Sequence, residues 1–369
     1  SAKDHRIVLT LDAGGTNFVF SAIQDMKEAA APVRLPAYAD NLEKSLASIR
    51  DGFSQVISQL PQKPAAISFA FPGPADYPNG IIDNMGNLPA YHGGVALGPY
   101  LEETFQIPVF INNDGDLFAY GEAIAGLLPK VNRMLQQAGS PKRFSKLFGI
   151  TLGTGFGGGI VADGRLFIGD NSAAGEIWIT RNKRHPKCFA EEGVSIRAVR
   201  GSYARIAGID PSDAPTPKDI YEIGIGRQPG NQEAARQAFA EMGEVIGDAL
   251  ANAITLIDGL IVIGGGLAAA YPLFIDAVLK EMNGTIESYS GQKLPRIVQK
   301  CFDLENPQDC RQFIEGRIKE IRVPGSKRTI QYDSLKRIGI GRAVLDTSHA
   351  VSIGAYAYAL NQLDNPKKR

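Results

Sequence analysis

The sequence is poor in the features that would place it in a special class. Its three cysteines, Cys188, Cys301 and Cys310, are too few and too scattered for a disulfide framework. That excludes the disulfide-stapled secreted class and fits a reducing, cytoplasmic setting. No apolar run approaches the roughly 20 residues that cross a bilayer, so no membrane partner is expected. Ser1-Ala2-Lys3-Asp4-His5-Arg6 leads straight into a short strand, so no signal-peptide pattern is read here. Net charge is lacking too: 39 basic and 39 acidic residues cancel, and no long block of one sign appears. A nucleic-acid surface or an anionic membrane is therefore not the expected partner. Lys367-Lys368-Arg369 reads as a solvated tail.

What is present is an ordinary globular balance, 44% hydrophobic and 21% charged over 369 residues. That length exceeds one compact core, so two lobes are expected. Ile7 to Leu11, Phe18 to Ile23, Ala66 to Phe71 and Val109 to Ile111 read as strands. Leu42, Leu46, Ile49, Phe53, Val56, Ile57 and Leu60 recur at helical spacing until Pro61 and Pro64. Further on, Leu97 to Phe105 and Leu117 to Leu128 read as helices. A second series begins near Lys146, with strand-like Leu147 to Leu152 and Ile160 to Ala162, a long helix over Gln232 to Leu256, and an apolar strand over Leu260 to Ile263. Ser348 to Leu360 reads as a closing helix capped by Ser348. Strands alternating with helices indicate an α/β architecture. The polar stretch from about Gly291 to Arg337 resists assignment and reads as an insertion.

Two segments share a plan. Leu9 to Phe20 and Ile150 to Val161 each run strand, glycine-rich turn with a threonine, strand. Asp12-Ala13-Gly14-Gly15-Thr16 suits a polyphosphate: bare backbone N–H groups can cradle phosphate oxygens, Thr16 adds a donor, and Asp12 can hold a hydrated Mg²⁺ through water. A plain hairpin turn is the competing reading. Gly153-Thr154-Gly155-Phe156-Gly157-Gly158-Gly159 holds more glycines than one turn requires, which favours a phosphate loop. It also matches G-x-G-x-x-G, but a dinucleotide fingerprint opens a helix, and the residues after this turn read as a strand. Gly264-Gly265-Gly266 closes a buried strand and would let a base or ribose lie against the backbone; a tight connection is the alternative.

Asn113 and Asp114 close the strand Val109 to Ile111, where ligands collect in α/β sheets. Phosphoryl transfer needs positioning, a metal and a carboxylate that accepts the hydroxyl proton. Asp114 is the candidate base, Asp116 its competitor, and an N-cap before Leu117 the structural alternative. Asn113 can donate to and accept from sugar hydroxyls. Glu176 and Glu191 are further carboxylates able to hold a sugar, although surface glutamates are common.

With these residues in view, the chain resembles the ROK family of sugar kinases. The likeness is carried in order by Asp12-Ala13-Gly14-Gly15-Thr16, Phe71-Pro72-Gly73-Pro74, Asn87-Leu88-Pro89, Asn113-Asp114, Leu152 to Gly159, Ala174-Gly175-Glu176, Gly264-Gly265-Gly266 and Ile353-Gly354-Ala355. The resemblance implies an α/β, two-lobed actin-like ATPase (ribonuclease H-like) fold with a central cleft. Its lobes would be 1–125 joined by the closing helix at about 348–369, and 126–347 with an insertion at about 291–337. It implies ATP and Mg²⁺ as cofactors and phosphorylation of a hexose or hexose-derivative hydroxyl, usually on C6, with Asp114 as general base. It implies sugar contacts at Gly73, Asn87, Asn113, Glu176 and Glu191, and nucleotide contacts at Asp12, Gly14, Gly15, Thr16, Gly153, Thr154, Gly155, Gly157, Gly264, Gly265 and Gly266. The lobes would close over the sugar and exclude water, and the family's dimers make a homodimer an expectation.

Two departures stand out. Many members carry a histidine three residues after the Ala-Gly-Glu glutamate, where this chain has Ile179, with Trp178 before it. Trp178 reads as packing, with stacking on a sugar as the alternative. The family's zinc-binding cysteine cluster is reduced to Cys188 near His185, which cannot close a four-ligand site, so no zinc is expected. The competing functions are a sugar-sensing regulator of the same family, for which a first strand at about Ile7 leaves no room for a helix-turn-helix, and a non-catalytic sugar-binding member.

Overall fold

The computed structural model describes residues 4–73, 75–83 and 88–366. Two compact units emerge: Ser1–Gly126 with Arg165–Ala174 and Leu345–Arg369, and Leu127–Gly164 with Gly175–Val344. Among the described residues, no helix is long and apolar enough to cross a membrane.

In the first unit, Val8–Ala13 and Asn17–Gln24 form an antiparallel hairpin with Ala13 opposite Phe18. Gly14 N–H donates to Asn17 O at 3.1 Å to close the bend. Ala66–Ala70 and Val109–Asn112 then add in parallel beside Val8–Ala13, and Lys27–Glu28 and Val33–Pro36 extend the other side. Side chains alternate across the pleat, so the sheet has two apolar faces. On one, Phe20 and Phe69 meet Phe53 of the helix Leu42–Ile57, and the Phe20 and Phe53 rings pack edge to face at 5.0 Å. On the other, Val8, Ile23 and Ala66 meet Ile353, Tyr356 and Ala359 of the closing helix.

That closing helix spans Thr347–Asp364 and is capped by Asp346, not Ser348. Asp346 accepts from the backbone N–H groups of Ser348 and His349, both at 3.3 Å; Ser348 lies inside the first turn that the carboxylate satisfies. The expected helix over Leu117 to Leu128 is two helices, Asp114–Ala125 and Leu127–Gln137, divided at Gly126. Asp114–Ala125 crosses the closing helix with backbones nearly touching. A β-carbon on Gly121 would lie 2.0 Å from Ala350 O, and one on Gly354 would lie 2.0 Å from Leu117 O. Only glycine permits that approach, and it fixes where the helix carrying Asp114 sits on the sheet.

The second unit repeats the plan. Lys146–Leu152 and Phe156–Ala162 form the hairpin. Leu260–Gly264, Arg337–Arg342 and Lys300–Asp303 follow in parallel, in that spatial order. The long helix Gln232–Ile257 buries Phe239, Met242, Ile246, Leu250 and Ile254 in the core of this unit. The stretch from Gly291 to Arg337 is not all insertion: its Lys300–Asp303 is a strand of the main sheet. Four residues opening on lysine and closing on aspartate are too short to show a strand period. The remainder includes an exposed hairpin, Ile318–Arg322 with Thr329–Asp333. Its base is held by fully buried Arg337, whose guanidinium pairs with Asp333 at 2.6 Å and lies over the Phe313 ring.

Candidate active site

In the first unit, three parallel strands end side by side. Register places Asp12 beside Ala70 and Ala70 beside Asn112, and Phe71 N–H donates to Asn112 O at 2.9 Å. Beyond these ends come Gly14, Gly15 and Thr16, then Gly73, then Asn113 and Asp114. Neighbouring strands are about 4.8 Å apart, so the three connections form one rim. Gly14, Gly15 and Thr16 are exposed, as is Asp12. Ala37 N–H donates to Thr16 O at 3.0 Å, which ties down the far side of the bend. Asn87 lies outside the described residues.

The N-cap of Asp114–Ala125 is Asn113, whose Oδ1 accepts from Asp116 N–H at 2.8 Å. The capping alternative for Asp114 therefore falls: Asn113 does that work. Asp114 is the first helical residue; it keeps an exposed surface, yet protein atoms crowd around its carboxylate. Crowding strips water from the charge, and the charge of Asp12 repels it. Burial first and Asp12 second push the Asp114 carboxyl up to about 6. Asp116, the competitor, is buried.

In the second unit the two remaining glycine clusters meet. Gly265 has φ +87°, and a β-carbon on it would lie 2.4 Å from Leu152 O. This residue needs the left-handed backbone and the closeness together, so Gly264-Gly265-Gly266 is pressed against the entrance to the Gly153–Gly159 turn. The turn closes with Gly153 N–H donating to Gly155 O at 3.0 Å, and its rear is met by the helix Ile196–Ala207, whose first N–H donates to Gly153 O at 2.9 Å. Phe156 continues as a strand, which removes the dinucleotide alternative. Thr154 and Gly266 are exposed.

Glu191 also belongs to this turn. Its Oε2 accepts from Phe156 N–H at 3.0 Å and its Oε1 pairs with Arg197 at 3.2 Å. Arg197 reaches Thr154 O at 3.4 Å and Glu192 at 2.5 Å. Glu176 is half-buried at the turn after Gly175, and its carboxylate accepts from the indole of Trp178. The Trp178 ring packs against Phe189, and Ala190 N–H donates to Thr180 O at 2.7 Å. The structure thus joins the segments bearing Glu176 and Glu191. Arg197 was missed by sequence reasoning: an arginine in the first turn of an amphipathic helix gives no signal until the helix start is seen against the glycine turn.

The loop expected to have lost its zinc ligands is closed by hydrogen bonds. Buried Asn182 accepts through Oδ1 from Arg184 N–H at 3.0 Å and His185 N–H at 3.1 Å, and Cys188 N–H donates to His185 O at 2.8 Å. Among the described residues, no group of three His, Cys, Asp or Glu is arranged to hold a metal. For Mg²⁺ the donor set fits differently. Such an ion takes one or two carboxylates, phosphate oxygens and water, and exposed Asp12 supplies one carboxylate for it beside the glycine turn.

The model of the ROK family matches residues 8–304. The N-acetyl-D-glucosamine kinase of Vibrio parahaemolyticus is 27% identical over 308 residues, 78% of this chain and 92% of that one. A glucokinase structure from Parabacteroides distasonis has a TM-score of 0.90 at 54% identity, covering 97% of this chain and 98% of the other. A ROK family transcriptional regulator, a homologue of the E. coli MLC protein, has a TM-score of 0.65 at 17% identity, over 97% of this chain and 80% of the other. At that identity the likeness is one of fold alone.

Proposed function

This chain belongs to the ROK family, has its actin-like ATPase fold and is a sugar kinase; on that premise we propose that it transfers the γ-phosphoryl group of ATP to a hexose hydroxyl, that on C6, with Asp114 as general base. Glucose is the first candidate, supported by the 54%-identical glucokinase, and an N-acylhexosamine the second, supported by the Vibrio kinase.

The observation that carries the reading is Asp114 itself. Its carboxylate stands at the rim of three parallel strands, is not used as a helix cap, and has its proton affinity raised to about 6. A carboxyl of that affinity is ionised at neutral pH yet basic enough to take a proton from a hydroxyl as it attacks phosphorus. Asn113, fixed by its own capping bond, offers Nδ2 to a sugar oxygen. Gly73, Asn87, Glu176 and Glu191 are proposed as the other sugar contacts. Gly14, Gly15 and Thr16, with Gly153, Thr154, Gly155 and Gly157, present backbone N–H groups and hydroxyls to the nucleotide phosphates. Gly264-Gly265-Gly266 leaves bare backbone for the nucleoside. Asp12 would hold Mg²⁺ through water; when bound, the ion would neutralise phosphate charge.

The test is ADP release with ATP, Mg²⁺ and a panel of glucose, mannose, fructose and N-acetylglucosamine, with the product's phosphate position read by NMR. Asp114→Asn lowers kcat by about 10²–10⁴-fold while sugar binding persists. Turnover at the parental rate in that variant removes the base assignment, and silence of folded protein across a wide panel removes the kinase reading.

A further inference from the structure

Trp178 occupies a position with one specific consequence. Its neighbour Ile177 is buried in the core of the second unit, and Ile179 on the other side is 61% exposed. Between them the indole lies at the boundary, edge-on to Phe189 with ring centroids 5.7 Å apart and planes at 85°. In this pose its Nε1–H donates to Oε2 of Glu176. Phe189 is itself fixed, bridged to Arg181 and followed directly by the turn that carries Glu191. The ring has therefore little freedom, and neither has the carboxylate it holds.

We propose that Trp178 is the positioning residue for Glu176: it occupies Oε2 and leaves Oε1 as the acceptor presented to the sugar. The inference rests on the reading of Glu176 as a sugar ligand. A glutamate without this restraint samples several rotamers and must be ordered by its ligand, and that ordering weakens binding. Here the ordering is done in the fold, by a hydrogen bond to a charged acceptor, which is stronger than a neutral one. With one oxygen already engaged, Glu176 also accepts from a narrower set of hydroxyl geometries. Trp178 thereby narrows the range of sugars, and does so without touching one.

The test uses the fact that Trp178 is the single tryptophan in the chain, so tryptophan emission reports on the surroundings of this indole alone. Glucose, or whichever panel sugar is turned over, is titrated without nucleotide; emission is expected to change saturably. Trp178→Phe keeps a ring against Phe189 and removes the donor. It is expected to raise the sugar KM by about ten-fold, with the KM for ATP and kcat within two-fold of the parent. Trp178→His restores an N–H and is expected to recover part of the loss. Glu176→Gln separates the two levels. If Glu176→Gln raises the sugar KM and Trp178→Phe does not, Trp178 has no positioning role and the inference is overturned while the ligand reading stands. If Glu176→Gln is itself parental, the ligand reading falls and takes the inference with it. Equal losses for sugar and ATP in Trp178→Phe, or emission unmoved at saturating sugar, also overturn it.

Discussion

A base with its proton affinity raised to about 6 leaves a signature in the pH dependence of turnover. The perturbation is acid. Only the ionised carboxylate accepts the hydroxyl proton, so kcat/KM for the sugar follows the ionised fraction of Asp114 in the enzyme form that binds the sugar. That fraction is about one half at pH 6 and about one tenth at pH 5, whereas an ordinary aspartate would remain about nine-tenths ionised at pH 5. The distinguishing interval is therefore pH 5 to 6.5. The assay measures initial rates at limiting sugar, with Mg²⁺ and ATP held saturating at each pH so that ionisation of the nucleotide drops out, and product is quantified directly. A single limb of unit slope is expected on the acid side, with its midpoint near pH 6. The residual rate of Asp114→Asn is expected to lack that limb. A parental profile flat down to pH 5, or the same limb in the variant, would refute the reasoning, because the titrating group would then be another.

Three further outcomes follow from the same structure. Asp114→Asn should be more heat-stable than the parent at pH 7.5: a carboxyl with its folded affinity raised from 3.8 to about 6 costs stability as pH rises through that interval and fully above it. Solvent reaching the carboxylate limits the gain to about 1 kcal/mol, and it should vanish below pH 4, as paired melting curves can check. Gly354→Ala places a methyl 2.0 Å from Leu117 O and forces two helices apart; a loss of about 1–3 kcal/mol, with a drop in kcat from displacement of Asp114, is expected, and parental stability would contradict the crossing. Arg337→Ala removes the partner of Asp333 at 2.6 Å and should cost about 3–5 kcal/mol, with early proteolysis between Ile318 and Asp333; Arg337→Met, which keeps an apolar stem over Phe313, should cost less.

Much of the candidate site was legible in the chain. Asp12, Asp114 and the glycine turns announced themselves because their residue types make poor strand, and they interrupt strands that apolar runs make plain. The hairpin echo between Leu9–Phe20 and Ile150–Val161 was visible for the same reason, and the structure extends it to the parallel strands beyond. Other features were hidden. Asn113 and Asp114 are both good caps by type, and only the hydrogen bond from Asp116 shows which one is used. Ser348 was read as the cap of the closing helix, and only the structure shows Asp346 in that place. Lys300–Asp303 was lost in a polar stretch because a four-residue strand shows almost no period.

What the sequence determined by itself is what short-range chemistry dictates: strand, turn and helix from side-chain type and spacing, and a set of acids and bare glycines suited to phosphate and sugar. Only the tertiary structure decided which of these meet. Strand register set Asp12 in line with Asn112, close packing pressed Gly265 onto Leu152, and a single indole took hold of Glu176. Such encounters join residues far apart in the chain, and they depend on which apolar faces exclude water together, a property of the whole core that no local stretch contains.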